Sequence, residues 1–192
     1  EDVGEGAGRT MKFTPADVPD VIVIEPEVYG DERGFFMESW RRDRFIEAGI
    51  DVDFVQENVS RSAQGVLRGL HYQMRSPQGK LVRVVRGIVY DVAVDMRQSS
   101  PTFGQWTGTY LSDENKCQVW VPPGFAHGFL VVSDSADLVY KCTNAYAPAE
   151  ERILLWNDPQ TAIDWPLGDI EKPLLSEKDA RGVEFGKAEY YS

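Results

Sequence analysis

The run LVRVVRGIVYDVAVDMR, residues 81–97, decides the architecture. Its Val and Ile residues favour extended backbone and Gly87 interrupts it, so it reads as two strands joined by a turn. Working outward, CQVWVPPG (117–124), GFLVVS (128–133) and DLVYKCTN (137–144) give further short strand signals. Turn residues separate them, at Ser99-Ser100-Pro101, Pro122-Pro123-Gly124 and Asp134-Ser135. Many short strands at modest spacing predict an all-β sandwich or barrel. Helical patterning is confined to Ser39 to Ala48, with Trp40, Phe45 and Ile46 among charges and Gly49 as a stop, and to a short turn at Ser176 to Ala180.

The chain has 192 residues, a length that suits one domain with a sizeable core. With 42% hydrophobic and 27% charged residues it is neither disordered nor collagenous, and no stretch is apolar enough to span a membrane as a helix. Against 31 Asp and Glu stand 20 Lys and Arg, a net charge of −11, which excludes wholesale nucleic-acid binding. An anionic small partner would need locally gathered cations. Residues 1–10 are acidic and Gly-rich, unlike a secretion signal, and are expected to be a flexible or tag-derived extension ahead of a single domain at 11–192, with Met11 as a natural start. Cys117 and Cys142 are too few for a disulfide framework and are expected to be buried thiols of a cytoplasmic protein.

Only two histidines occur, and each sits in an informative segment. His71 lies in GVLRGLHYQ (65–73) and His127 in PPGFAHGF (122–129). The pair resembles the two signature segments of the cupin superfamily, small double-sheet jelly rolls. Metal-binding cupins carry a second His where this chain has Gln73, and an acid where it has Pro77-Gln78. Two imidazoles and an amide make a poor site for a transition metal. A metal is therefore not expected, and His71 is left free for proton transfer.

Further segments carry a closer resemblance: DERGFF (31–36), QEN (56–58), RGLHYQ (68–73), GKLVR (79–83), PPGFAHGF (122–129), YKCT (140–143) and LSEKD (175–179). In order and spacing they are similar to the dTDP-4-dehydrorhamnose 3,5-epimerase family, over about Asp17 to Arg181. The resemblance implies a cupin jelly-roll with a few peripheral helices. It further implies epimerisation of dTDP-4-keto-6-deoxy-D-glucose at C3 and C5 without any cofactor, giving dTDP-4-keto-L-rhamnose. A proton beside a ketone is weakly acidic, so such a site must remove it and stabilise the enolate together. Inversion also needs a second group on the opposite face.

By this resemblance His71 is the base, Asp179 its orienting carboxylate, Tyr140 the acid and Lys80 a cation near the enolate oxygen. Arg33, Glu38, Gln56, Asn58, Arg68, His127, Glu151 and Lys178 match positions around the nucleotide sugar, with Arg33 and Arg68 suited to forking onto the diphosphate. Tyr146 matches an aromatic that stacks on the nucleotide. A homodimer is implied as well, its N-terminal region crossing to the partner site.

Taken locally, the same residues have plainer readings. Tyr140 would be a core tyrosine, Asp179 a turn or cap residue, and Lys80 a solvated edge charge. Three other functions compete at this level: a monoepimerase inverting one carbon, a metal-dependent cupin, and a catalytically silent nucleotide-sugar binder. The epimerase reading predicts that Arg33, Arg68, Lys80 and Lys178 gather at the barrel mouth while acids cover the exterior.

Overall fold

A computed structural model describes residues 11–192, so the expectation for residues 1–10 lies outside the described residues. The strands are β1 (Lys12–Pro15), β2 (Ile22–Glu25), β3 (Val28–Asp31), β4 (Gly34–Met37), β5 (Gln56–Ala63), β6 (Leu67–Gln73), β7 (Lys80–Arg86), β8 (Ile88–Asp95), β9 (Trp106–Ser112), β10 (Gln118–Val121), β11 (Phe125–Val131), β12 (Ser135–Cys142) and β13 (Glu151–Ile153). A six-stranded sheet runs β1-β2-β10-β7-β12-β5, and a five-stranded sheet runs β13-β6-β11-β8-β9. All these pairings are antiparallel, and the two sheets face one another as a jelly-roll barrel. The β3–β4 hairpin stands apart as its own two-stranded sheet.

Residues 81–97 do split at Gly87, whose φ is +80° and where a Cβ would lie 2.1 Å from the Ser135 carbonyl oxygen. Only glycine fits that turn between β7 and β8. Val82 and Val84 alternate inward to meet Val89, Phe129 and Leu138 between the sheets. Leu81, on the opposite face, joins Trp120 beneath Phe45 of the one α-helix among the described residues, α1 (Arg42–Glu47). Every residue of β11 is buried, because the barrel core covers one face and the chain beyond β13 covers the other with Trp165 and Phe185. That coverage explains the unbroken apolar run at 128–132.

Two sequence expectations are corrected. The helix begins at Arg42 rather than Ser39, because Ser39 offers its carbonyl to Gln118 Nε2 at 2.6 Å and Arg41 is extended at the N-cap. Gly49, with φ +85°, does end it. Cys142 is a buried free thiol as expected, whereas Cys117 is only partly buried, just before β10.

Candidate active site

The rows of inward-facing side chains change character along each strand. On β12, Ala136 and Leu138 belong to the core, while Tyr140 two residues on borders a cavity. On β7 the same period puts Lys80 in line with Val82 and Val84. The inward row of β5 is polar throughout, Gln56, Asn58, Ser60 and Ser62. His71 comes from β6 of the other sheet, paired across the ladder with His127 of β11. Close approach here depends on glycine: a Cβ on Gly69 would stand 2.6 Å from the Cα of Gly128.

Two cavities share His71, Lys80 and Tyr140. One, of 260 Å³, continues to Gln56, Asn58, Tyr146, Glu151 and Lys178. The other, of 120 Å³, continues to Ser60, Arg68, His127 and Phe129. His71, Lys80 and Tyr140 thus form the waist of one elongated site, with polar side chains on either side.

At the waist, His71 Nε2 lies 2.5 Å from Asp179 Oδ1. Asp179 is 3% exposed and opens a short turn, Asp179–Arg181, tied to Ser176: its amide donates to Ser176 Oγ at 3.0 Å, and the Ser176 hydroxyl donates to its Oδ2 at 2.8 Å. Burial pushes the carboxyl up, but the bond and charge of His71, together with Ser176 and the Gly69 amide, outweigh it and hold it below the usual range. An ionised carboxylate can only accept, so His71 donates through Nε2 and keeps a bare lone pair on Nδ1. Asp179 is thus a turn residue whose carboxylate also meets His71.

Lys80 is no solvated edge charge. It is 9% exposed on β7, between β10 and β12, and burial draws its ammonium below the ordinary lysine range against the opposing pull of Cys142, Asp91 and Glu151. A buried cation of this kind favours the appearance of negative charge beside it. Tyr140 is pushed up by burial and by Cys142, with Arg68 and Asn58 acting in the opposite sense, which favours the protonated phenol.

Tyr146 stands half exposed, its amide donating to Gln56 Oε1 at 2.8 Å and its hydroxyl to Glu151 at 3.2 Å. Lys178 bonds the same Glu151 oxygen at 2.6 Å and sits 6.0 Å from the Tyr146 ring centroid. Arg68 is held by Ser62 Oγ at 3.0 Å. His127 is buried, with Nε2 2.9 Å from both oxygens of Asp91. Arg33 and Glu38 border neither cavity of the waist. Arg33 sits at the tip of the β3–β4 hairpin, chelated by Asp31, and Glu38 pairs with Arg41 and Arg44. The predicted gathering of cations is thus corrected to Arg68, Lys80 and Lys178 within one chain, because the hairpin carries Arg33 away from the sheets.

Sequence reasoning missed Asp91, whose burial beside His127 makes a second histidine–carboxylate pair, and Ser60, whose Oγ is shielded from solvent and has no partner. An acid in the middle of the apolar run 88–94 was the available signal for Asp91. Gln73, read as a lost metal ligand, is fully engaged: Oε1 accepts the Ala147 amide at 2.8 Å, and Nε2 donates to the carbonyls of Ser76 at 2.8 Å and Ala145 at 3.3 Å.

Residues 15–187 match the family model described as dTDP-4-dehydrorhamnose 3,5-epimerase. The chain is 59% identical to the enzyme of that name from Pseudomonas aeruginosa, over 94% of this chain and 99% of the relative. Among solved structures it resembles a dTDP-6-deoxy-D-glucose-3,5-epimerase from Legionella pneumophila in complex with dTDP-4-keto-L-rhamnose, with a TM-score of 0.90 and 54% identity over 93% of this chain and 95% of that one. It also resembles a 3'-monoepimerase from Streptomyces bikiniensis in complex with dTDP-quinovose, with a TM-score of 0.83 and 37% identity over 90% and 87% of the two chains.

Proposed function

The chain belongs to the dTDP-4-dehydrorhamnose 3,5-epimerase family and is a carbohydrate epimerase, and on that footing we propose how its waist inverts C3 and C5 of dTDP-4-keto-6-deoxy-D-glucose. The observation that carries the reading is His71, backed by Asp179, in a cavity shared with Lys80 and Tyr140.

His71 Nδ1 takes the proton from the carbon beside the ketone, and the C–H electron pair moves through the new C=C bond onto the carbonyl oxygen. Asp179 supports the imidazolium formed, as the buried carboxylate does in hydrolase triads. Lys80 faces the developing enolate charge in a setting where no other cation is as deeply buried at the waist. Tyr140 then gives its proton to the opposite face of the same carbon. One inversion leaves His71 protonated and Tyr140 ionised, and exchange with solvent restores both before the second.

Tyr146, Gln56, Asn58, Glu151 and Lys178 take the nucleotide end, and Arg68, Ser60 and His127 line the other side of the waist. Arg33 and Glu38 serve the site of a second copy in a homodimer, reached by the β3–β4 hairpin. Support comes from the hairpin's exposed Tyr29, Phe35 and Phe36, at 57%, 60% and 71%, an apolar surface of the sort that marks an interface. The reaction belongs in the cytoplasm, where unpaired thiols such as Cys117 and Cys142 persist. Among the described residues no helix is long and apolar enough to cross a membrane.

Incubation with the 4-keto sugar nucleotide in D₂O tests the chemistry. Deuterium at both C3 and C5, read by NMR, is expected; incorporation at a single carbon would turn the assignment to a monoepimerase. Mixing the inactive variants His71→Ala and Arg33→Ala tests the dimer. Subunit exchange should restore roughly a quarter of the activity, and no recovery would remove Arg33 from the partner's site.

A further inference from the structure

We propose that Gln73 is a positioning residue that holds Tyr146 in place at the nucleotide end. Gln73 stands two residues beyond His71 on β6 and is 3% exposed. Its carboxamide spends both ends on the loop that carries Tyr146, accepting from the Ala147 amide at 2.8 Å and donating to the Ala145 carbonyl at 3.3 Å. The residue on either side of Tyr146 is thereby fixed by one side chain, while Gln56 fixes the Tyr146 amide. Of the common side chains only an amide offers an acceptor and two donors in one plane, so Glu or His cannot make the same set of bonds.

The clamp is itself anchored from the far end of the chain. The Tyr191 hydroxyl donates to the Gln73 carbonyl, and the Tyr191 backbone is fixed in turn, its amide to Met96 O at 3.0 Å and its carbonyl to the Gln98 amide at 2.8 Å. Tyr146 is otherwise half exposed and lies in a segment without regular structure. A ring so placed loses conformational freedom on stacking against a ligand, and a loop already ordered by Gln73 leaves less to lose. The consequence is an effect on ligand affinity, with the proton transfers at His71 and Tyr140 untouched.

The inference rests on the reading of Tyr146 as the nucleotide platform, and the test separates the two. Affinity for dTDP is measured by calorimetry, alongside KM and kcat for the keto sugar, in Gln73→Ala, Gln73→Met, Tyr146→Ala and the double variant Gln73→Ala/Tyr146→Ala. Expected are a rise of about tenfold in dTDP Kd and in KM for both Gln73 variants, kcat within about twofold of wild type, and no further loss when Gln73→Ala is added to Tyr146→Ala. Unchanged dTDP affinity in Tyr146→Ala would overturn the platform reading. A weakened Tyr146→Ala with a normal Gln73→Ala, additive losses in the double variant, or full recovery in Gln73→Met would overturn the role of Gln73. Should the Gln73 variants fail to fold, Tyr191→Phe, which removes only the anchor, carries the test with an expected rise of about threefold in dTDP Kd; wild-type affinity there would count against the clamp.

Discussion

Replacing Asp179 by Asn tests the dyad most directly. The carboxylate oxygen lies 2.5 Å from His71 Nε2, and its other oxygen is engaged by the Ser176 hydroxyl. With charge centres about 4 Å apart and an effective dielectric of about 20, the attraction between Asp179 and a His71 imidazolium is about 4 kcal/mol. Loss of that stabilisation in the transition state slows proton abstraction by roughly a thousandfold. The carboxamide adds a second fault. If its NH₂ faces His71, it donates to Nε2 and forces the hydrogen onto Nδ1, the atom that must act as base; if turned round, it sets NH₂ where Ser176 donates. Because Asp179 lies behind His71 and does not line either cavity, KM should change by less than about threefold. The assay is deuterium wash-in at C3 and C5 under saturating substrate, with folding checked by circular dichroism. Retention of more than about a tenth of wild-type exchange in a folded Asp179→Asn protein would refute the dyad as the source of base strength.

Three other expectations follow from the same geometry. Tyr140→Phe removes the acid and leaves His71 intact, so solvent exchange into substrate should survive while net inversion falls by about a hundredfold; equal loss of both, followed by NMR, would count against separate roles on the two faces. Gly69→Ala places a Cβ 2.6 Å from the Gly128 Cα at φ +120° and should lower the urea midpoint by an amount equivalent to about 3 kcal/mol or more, a wild-type midpoint excluding the close β6–β11 approach. Burial raises the carboxyl of the fully buried Asp95, but bonds from Arg97, Ser100 and Thr102 outweigh it and hold it below the usual range. A carboxyl depressed by folding stabilises above its unfolded pKa, and that contribution disappears as pH falls through the folded value. Urea midpoints should therefore drop below about pH 4, and Asp95→Asn should be weaker by about 3 kcal/mol at pH 7 yet show a flatter acid slope.

The fold was legible where the pattern was local. Residues 81–97 carry their own alternation and their own glycine break, and burial of β11 on both faces leaves an apolar run that needs no alignment to see. Lys80 shows the limit of such reading. Before an alternating strand a lysine looks like an edge charge, and only the pairing of β7 with both β10 and β12 makes it interior. Asp179 is legible as a turn residue because Ser176 lies three residues away, whereas its bond to His71 depends on how the chain beyond β13 packs against β6. Gln73 was read for what it could not ligate, and its bonds to 145 and 147 come from a loop some seventy residues distant. Arg33 was placed by resemblance at a binding site, and the hairpin that bears it leaves the sheets altogether, which is why a second copy enters the argument.

The separation of 108 residues between His71 and Asp179 makes enzymatic activity a clock for the last stage of folding. Both sheets can pair from residues up to 153, so the barrel can close while the base still lacks its partner. Contacts across so long a loop form late, since the entropy of closing it must be met first. A chain stopped short of residue 179 would own a cavity and a histidine with nothing behind it. Regain of deuterium exchange should accordingly trail regain of sheet signal during refolding, and proteolytic nicking near residue 176 should silence the enzyme before it unfolds the barrel.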